Sequence, residues 1–346
     1  MCEESMKIGV IYYLIPNLHQ KEFKIRDFIK SVIKKKSIEY FRNTIFKKHK
    51  PVGGIKVIYQ HCMMLRDMGY DAYPLVMGRY KGNFFGYDID YKYIKDVGYN
   101  LGKEDVVVAT DFLPYQGLDF KEARKVLFMQ NWINLDKRLK ESDKGKSYFD
   151  MGYDYVISCG QYSSDMVMKK MHIRATPITN GIDQDKFYEI PGKRILGRVL
   201  AMARKNLADL EEIISILKFR GVIVDLHVVD GLTQNELIQE YQKADIFLAT
   251  GYPEGFSLPP LEAMCCGCSV VGFTGGGASE YMIDGLTALV SKDGDCIDVA
   301  NKLEQLLMDN QLKESLRKTG IEKAKLYTLE NCGKRLGVFF EQLNEK

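Results

Sequence analysis

Residues 246–264 read IFLATGYPEGFSLPPLEAM and contain the features that decide the fold. The apolar run from Ile246 to Ala249 predicts a strand, and a glycine-containing loop follows it. Pro259 and Pro260 predict the start of a helix, because proline lacks the amide hydrogen that the first helical turn leaves unpaired. A strand, a loop and a helix in this order form the repeating unit of parallel α/β sheets.

The same stretch predicts a site for a phosphorylated ligand. Free backbone amides and the positive end of the helix dipole form a seat for a phosphate or diphosphate. Glu262 is expected in the first helical turn, where its two acceptor oxygens suit the vicinal hydroxyls of a ribose. Glu254 is placed to accept hydrogen bonds from hydroxyls on whatever the diphosphate carries. Together the two acids indicate a nucleotide-sugar site, whereas either acid alone equally fits a surface carboxylate. The phosphate seat is formed by the backbone donors of Phe256, Ser257 and Leu258, and Gly255 is a further candidate for donor binding.

Short apolar strands alternate with helical patterns along almost the whole chain, which predicts parallel sheets covered by helices. In the first half we expect strands at Lys7–Tyr13, Asp71–Val76, Val106–Ala109, Val126–Met129 and Tyr155–Ser158, with helices at Val57–Met68 and Ser163–Lys170. In the second half we expect strands at Ile195–Met202, Asp225–Val229, Ile246–Ala249 and Ser269–Phe273, with helices at Leu207–Phe219, Asn235–Lys243 and Pro260–Cys266.

This pattern predicts an α/β chain with two Rossmann-like, doubly wound domains that face each other across a cleft at the carboxyl ends of their strands. A glycine-bearing turn at Asn180-Gly181-Ile182-Asp183 separates the two series of strands. We therefore expect a first domain over residues 1–182 and a second over 183–327. Residues 328–346 are expected to form a helix that could cross back to the first domain.

Length and composition agree with a folded two-domain protein. At roughly 150 residues per domain, 346 residues indicate about two domains. Hydrophobic residues make up 46% and charged residues 27%, which argues against disordered, collagen-like and coiled-coil chains. The longest apolar runs are well short of the ~20 residues of a membrane span, and residues 1–5 lack the basic cluster of a signal peptide. We therefore expect a cytoplasmic protein.

The eight cysteines are expected to be free thiols, because they are spread over a long chain without disulfide-like spacing. Cys265 and Cys268 form a CxxC pair, but neither a second pair nor two histidines follow at zinc-ligand spacing. Small buried side chains therefore explain this pair better than a zinc site does.

The net charge of +3 is unevenly distributed. Residues 21–50 hold eleven bases and three acids, a local charge of +8, and their apolar residues recur at helical spacing. Such a basic amphipathic helix suits an anionic membrane surface. A helical insertion that packs on its own domain and solvates its lysines fits equally well. Nucleic acid is a poor candidate partner, because no aromatic stacking platform accompanies the charges.

Together these motifs resemble a known family. Glu254 and Glu262, with seven residues between them, are similar to the E-x7-E signature of retaining glycosyltransferases of family 4, which have the GT-B fold. The resemblance covers most of the chain. Val106–Asp111 and Val126–Trp132 look more like surface-polysaccharide members of the rhamnosyltransferase type than like sucrose or trehalose enzymes. Further similar motifs are Val52-Gly53-Gly54-Ile55, Asn180-Gly181-Ile182-Asp183 with Phe187, Cys266–Gly272 and Gly275–Tyr281.

Arg204 and Lys205 follow a predicted strand and are expected to open a helix. The resemblance implies that they clamp the leaving diphosphate, and their fixed charges would stabilise the negative charge that develops on it. Many members of the family separate the two bases by several residues, whereas here they are adjacent. The alternative is a pair of solvated bases at a helix start.

Other candidates come from the ends of predicted strands. Gly53 and Gly54 precede a helix and would let backbone amides approach a phosphate or a sugar, although a plain turn also fits. Asp230 follows a strand where the family holds the nucleobase, or else lies in an ordinary turn. Asp111 and Asn131 could bind the acceptor or the donor sugar, or could cap and pack. His61 lies inside a helix pattern and is expected to be structural.

Our interpretation is an enzyme that moves a sugar from a nucleoside-diphosphate sugar to a hydroxyl of a glycan or lipid-linked acceptor in polysaccharide or glycoconjugate biosynthesis. The resemblance implies retention of anomeric configuration. No cofactor or divalent metal is expected, because Arg204, Lys205 and the helix start can hold the diphosphate. The expected location is the cytoplasm. Contact of residues 21–50 with the inner face of the membrane and packing of this segment on its own domain are the two alternatives. The alternatives are a nucleotide-sugar epimerase of the same shape and a non-catalytic subunit that binds glycan or pairs with a catalytic chain.

Overall fold

The computed structural model describes residues 7–15, 53–78, 87, 89–202 and 204–345. In this part of the chain two parallel sheets, each with helices packed on it, form two α/β domains, which confirms the predicted fold class. The basic segment 21–50, with its predicted amphipathic helix and membrane contact, lies outside the described residues.

The first sheet has the strand order β3-β2-β1-β4-β5-β6-β7. The order reverses between β1 and β4, and such a reversal creates a crevice at the carboxyl ends of the strands. Its strands are β1 Val10–Ile15, β2 Asp71–Val76, β3 Lys92–Tyr93, β4 Val106–Thr110, β5 Arg124–Met129, β6 Tyr155–Ser158 and β7 Thr176–Pro177. Its helices are α1 Gly53–Asp67, α2 Ile94–Val97, α3 Asn134–Lys137 and α4 Gln161–Met171.

The second sheet has the order β12-β11-β10-β8-β9, which reverses between β8 and β10. Its strands are β8 Arg198–Met202, β9 Asp225–Val229, β10 Ile246–Ala249, β11 Ser269–Phe273 and β12 Leu289–Ser291. Its helices are α5 Leu207–Phe219, α6 Gln234–Lys243, α7 Leu258–Cys265, α8 Cys296–Met308 and α9 Asn310–Ala324, and the last helix of the chain is α10 Leu329–Asn344.

Local sequence explains where several elements begin. All residues of β4 and β10 are buried, as expected for strands covered on both faces. Helix α6 starts at a capping box in which Thr233 and Glu236 satisfy each other's backbone amides. Helices α8 and α10 start after Asp295 and Thr328, whose side chains accept hydrogen bonds from the first turn.

The predicted elements differ from the structure mainly at short or edge positions. Strand β1 begins at Val10 rather than Lys7, and β8 begins at Arg198 rather than Ile195, because Gly197 turns the chain with φ of 77°. The edge strands β3, β7 and β12 contain two or three residues each, too few to give a periodic pattern. The sequence analysis also did not identify helices α8 and α9.

Helix α10 packs against the first domain, although it follows the second domain in sequence. The Ile182 amide donates to the Tyr327 carbonyl over 2.8 Å where the chain crosses between the domains. Farther along, Arg124 donates to the Leu343 carbonyl over 2.7 Å, and the Ile8 amide donates to Asn344 over 2.8 Å. Apolar residues of both domains and of α10 therefore belong to one continuous core. The limits 1–182, 183–327 and 328–346 remain the predicted domain division.

Candidate functional site

A cavity of about 630 Å³ lies between the carboxyl ends of the two sheets, where both strand orders reverse. Residues of both domains line it, so neither domain forms the cavity alone. Most of the residues predicted from the sequence lie in its wall, namely Gly53, Gly54, Asn131, Arg204, Lys205, Asp230, Glu254, Phe256, Ser257, Leu258 and Glu262.

Helix α7 directs its first turn into this cavity. It begins at Leu258 with Pro259 in its first turn, as the sequence predicts. Ser257 precedes it with φ of 61°, and the Ser257 side chain makes no capping hydrogen bond. Pro259 and Pro260 have no amide hydrogen, so the donors at this helix start are the backbone amides of Leu258 and of the loop before it. The start of α7 can therefore hold an anionic group.

Glu262 lies in the second turn of α7, so its predicted place in the first turn was wrong. The helix begins two residues before Pro260, which moves Glu262 farther from its start. The carboxylate is buried and accepts a hydrogen bond from Lys56 over 2.8 Å and from the Tyr241 hydroxyl over 3.3 Å. Glu262 is thus a fixed acceptor in the cavity wall.

Lys205 and Glu254 form an ion pair of 2.6 Å across the reversal point of the second sheet. Lys205 also donates to the Pro253 carbonyl over 3.2 Å. Arg204 is exposed beside them in the cavity wall. The prediction that these bases open a helix was wrong, because α5 begins at Leu207.

The side chain of Asn206 connects the two loops that carry Lys205 and Glu254. It has φ of 51°, and its side-chain amide donates to the carbonyls of Thr250 and Tyr252 over 3.0 and 2.9 Å. The loop after β8 is thereby tied to the loop after β10, which keeps Lys205 next to Glu254.

Gly53 and Gly54 lie in the first described turn of helix α1 and not in a loop before it, so this detail of the prediction was wrong. The side chain of Gln130 donates to the Gly54 carbonyl over 2.8 Å. A Cβ atom at Gly54 would lie 2.6 Å from Gln130 Oε1. Glycine at this position therefore lets α1 approach the end of β5 closely.

Gly255 lies at the contact between the two domains and is not part of the cavity wall. A Cβ atom there would collide with the Gln130 carbonyl oxygen. The Gly255 carbonyl accepts a hydrogen bond from the Ser163 hydroxyl over 2.9 Å. Its predicted place beside the ligand is thus not supported by the geometry, because the loop turns this residue toward the first domain.

Asp111 also lies outside the cavity wall, so the prediction that it faces the crevice was wrong. Its carboxylate is fully buried and accepts hydrogen bonds from the Gln130 amide over 2.7 Å and from the Asn134 side chain over 2.5 Å. Burial raises the pKa of this carboxyl to about 6, against an ordinary value of 3.8. Asp111 therefore fixes the loop after β5, which presents Asn131 to the cavity.

Lys56 and Tyr241, which hold Glu262, were not predicted from the sequence. Both residues lie inside helices. At such positions a lysine is normally expected to be exposed to solvent, and a tyrosine is normally expected to pack in the hydrophobic core. The nearness of Lys56 to Gly53-Gly54 was the available signal. His61 is buried beside Tyr13, and burial lowers its pKa to about 3, which agrees with the structural role predicted for it.

Gly275–Tyr281, the loop similar to a donor-side loop of the family, packs behind the cavity wall. The Glu254 amide donates to the Gly275 carbonyl over 2.8 Å. Glu280 reaches the other domain and accepts a hydrogen bond from the Tyr162 amide over 2.9 Å at the start of α4. This loop supports Glu254 from behind and links the two domains.

Comparison with known proteins agrees with this geometry. Residues 194–323 match the family described as glycosyl transferases group 1. An uncharacterized glycosyltransferase of Methanocaldococcus jannaschii is 23% identical over 232 residues, which cover 60% of this chain and 66% of that protein. The N,N'-diacetylbacillosaminyl-diphospho-undecaprenol alpha-1,3-N-acetylgalactosaminyltransferase of Campylobacter jejuni is 30% identical over 94 residues, 27% of this chain and 25% of that protein. The chain thus spans less than two thirds of the length of either curated relative.

Among solved structures, HepE of Anabaena in complex with UDP and glucose matches with a TM-score of 0.70 at 13% identity, covering 96% of this chain and 100% of that one. This likeness shows the fold. The second domain is thus the part of the chain that is similar to glycosyl transferases group 1, and the chain as a whole has the two-domain GT-B fold. No helix in the described part of the chain is both long and apolar enough to cross a membrane.

Proposed function

We propose that this chain is a retaining glycosyltransferase of family 4 that transfers a sugar from a nucleoside-diphosphate sugar to a hydroxyl of a glycan or lipid-linked acceptor. One observation carries the proposal: Glu254, Glu262, Arg204 and the start of α7 all line a single cavity between the two domains. An arrangement of acids around a basic anion seat at a helix start suits a ligand that joins a diphosphate to two hydroxyl-bearing sugars.

In the proposed complex the diphosphate lies at the start of α7, beside Arg204 and Lys205. The ribose hydroxyls donate to Glu262, and the nucleobase lies near Asp230 at the end of β9. The transferred sugar lies near Glu254. The proposed complex needs no metal ion, because two bases and a helix start supply the positive charge.

The proposed reaction breaks the bond between the anomeric carbon and the diphosphate, which leaves with the bonding electrons. The acceptor hydroxyl forms the new bond on the same face, and its proton passes to the leaving phosphate. Arg204 and Lys205 stabilise the charge that develops on the diphosphate. Apolar wall residues such as Phe112 and Phe256 limit access of water, which would otherwise compete with the acceptor.

The acceptor is proposed to enter along the first domain, past Asn131. The Campylobacter relative is named for a sugar carried on diphospho-undecaprenol, which supports an acceptor of the lipid-linked class. Residues 21–50, with their local charge of +8, are proposed to hold the chain at the cytoplasmic face of an anionic membrane. The resemblance of two strand regions to surface-polysaccharide enzymes of the rhamnosyltransferase type supports a product of that class.

A melting-temperature screen against UDP-, GDP- and dTDP-sugars tests donor binding, because a ligand that binds the folded state raises its apparent stability. The donor that stabilises the chain is then incubated with lipid-linked and free glycans, with and without a chelator. We expect a glycosylated product, formed equally well in the chelator, whose new linkage keeps the anomeric configuration of the donor. Glu322→Ala, in an exposed ion pair with Lys325, is the matched control variant and should behave as the unaltered chain.

Each contrary result would replace the proposal by one alternative. An altered nucleotide sugar released without any acceptor would identify an epimerase. A chain that no nucleotide sugar stabilises would be a non-catalytic subunit.

A further inference from the structure

Lys56 joins the two domains at the wall of the cavity. It lies on α1 of the first domain, and its ammonium is 2.8 Å from Oε1 of Glu262 on α7 of the second domain. Only 6% of each side chain is exposed. This buried ion pair connects residues 206 positions apart and exists only when the domains are in contact.

The surroundings of the pair fix both partners. The Lys56 ammonium also lies 4.6 Å from the centre of the Phe187 ring, a favourable cation–π arrangement. The Tyr241 hydroxyl donates to Oε2 of Glu262 over 3.3 Å. Among the described residues, each oxygen of Glu262 has one protein donor. Since an ionised carboxylate offers about four lone-pair positions, about two remain for hydroxyl groups of a ligand.

The energetic role of Lys56 follows from the burial of Glu262. A buried charge is costly unless it is paired, and removing one partner of a buried ion pair leaves the other uncompensated. Tyr241 is a neutral donor and cannot balance the charge of the carboxylate. The first domain therefore supplies, through Lys56, the charge that keeps a ribose acceptor in place in the second domain.

We propose that Lys56 is a positioning residue for the donor, which orients and charge-balances Glu262 so that this carboxylate can accept the ribose hydroxyls of a nucleoside diphosphate. Ribose recognition in the second domain then depends on contact with the first domain. This inference rests on the proposed function and adds a residue and an interdomain coupling to it.

The test compares two ligands that differ only in the ribose hydroxyls. Calorimetry is used to measure the affinity of the full chain for the tighter binder of UDP and GDP, which carry both ribose hydroxyls, and for the 2′,3′-dideoxy form of the same nucleotide. In the unaltered chain the dideoxy form should bind more weakly. Lys56→Met should weaken binding of the hydroxylated nucleotide by roughly 5- to 150-fold, the usual range for coupling between sites, and bring the affinity ratio of the two ligands close to one.

Two further variants separate positioning from a purely structural role. Lys56→Arg retains the charge and should preserve most of the affinity ratio. Lys334→Met removes a lysine from an exposed ion pair with Glu330 and should leave the ratio unchanged. Melting curves show which variants are folded at the temperature of the titration. If Lys56→Met does not fold, Lys56→Gln, which is neutral but can still donate a hydrogen bond, takes its place with the same expectation.

The inference is overturned if the neutral variant keeps the affinity ratio of the unaltered chain, or if it binds the nucleotide more tightly. Tighter binding would mean that Lys56 competes with the ribose for Glu262. An unaltered chain that binds no nucleoside diphosphate would overturn the proposed function and this inference together. An unaltered chain that binds both ligands equally would overturn the ribose role of Glu262, and the role of Lys56 with it.

Discussion

The Lys205 ammonium lies 2.6 Å from the Glu254 carboxylate, so an acid and a base at the reversal point of the second sheet neutralise each other. Both side chains remain partly exposed to the cavity. A diphosphate that binds beside them would attract Lys205 and repel Glu254. Lys205 is therefore suited to bind the diphosphate, and Glu254 is suited to bind the hydroxyls of the transferred sugar.

We expect Glu254→Gln to lower turnover by about 100-fold, the size typical for loss of one transition-state contact, with little change in nucleotide affinity. The reason is that Glu254 is proposed to contact the transferred sugar, and its loss leaves Lys205 free to hold the diphosphate. Steady-state rates and calorimetry on the same variant measure the two effects. Lys205→Met, by comparison, should reduce both quantities; a Glu254 variant that loses affinity instead of turnover would contradict the assignment.

Glu262→Ala should weaken nucleotide binding and also destabilise the chain. Removing the carboxylate leaves Lys56 buried without its partner, which typically costs about 3–5 kcal/mol. Chemical denaturation measures the loss of stability, and calorimetry measures the nucleotide affinity. Unchanged stability of the variant would contradict the role of the Lys56–Glu262 ion pair. Unchanged nucleotide affinity would contradict the ribose contact of Glu262.

Gly255→Ala should destabilise the contact between the domains. The new methyl group would collide with the Gln130 carbonyl, and overpacking of this kind costs about 1–3 kcal/mol. Gly53→Ala is the matched control for stability, because its methyl group would lie 3.4 Å from the nearest side-chain atom, an ordinary contact. Melting temperatures of the two variants should therefore differ, and equal values would argue against close approach at Gly255.

The buried carboxyl of Asp111 should make stability fall as pH rises from about 4 to about 6. Its pKa is about 6 in the folded chain and near 3.8 when exposed, so in this window the folded state binds more protons than the unfolded state. The resulting loss of folding stability amounts to about 3 kcal/mol. This loss is complete above about pH 6 and absent below about pH 4. Asp111→Asn does not titrate. The stability difference between the two chains should therefore change across this window, and a constant difference would contradict the raised pKa.

Much of the fold could be predicted because its elements are encoded locally. The strands Asp71–Val76, Tyr155–Ser158, Asp225–Val229, Ile246–Ala249 and Ser269–Phe273 have the predicted limits. Ile246–Ala249 and Ser269–Phe273 are fully buried strands, and a buried parallel strand is a short apolar run that can be recognised without information from distant residues. The two-residue strands at the sheet edges were missed, because their pairing depends on neighbouring strands and not on their own sequence.

The candidate site was predictable where a residue's position follows from the end of its own element. Arg204, Lys205 and Glu254 follow strands β8 and β10, so parallel pairing of those strands brings them to one edge. Asp111 follows a strand in the same way but turns inward, because Asn134 and the Gln130 amide bind its carboxylate. No local pattern distinguishes these two outcomes.

The sequence by itself determined two α/β domains, a helix that starts close to Pro259 and Pro260, and the acids and bases around it, because backbone sterics and apolar periodicity act over a few neighbouring residues. The tertiary structure alone decided which of these groups are paired. Lys56 and Glu262 are 206 residues apart, and Gly255 contacts Gln130 of the other domain. Such contacts depend on how the two domains pack, and burial then sets the charge balance around each group.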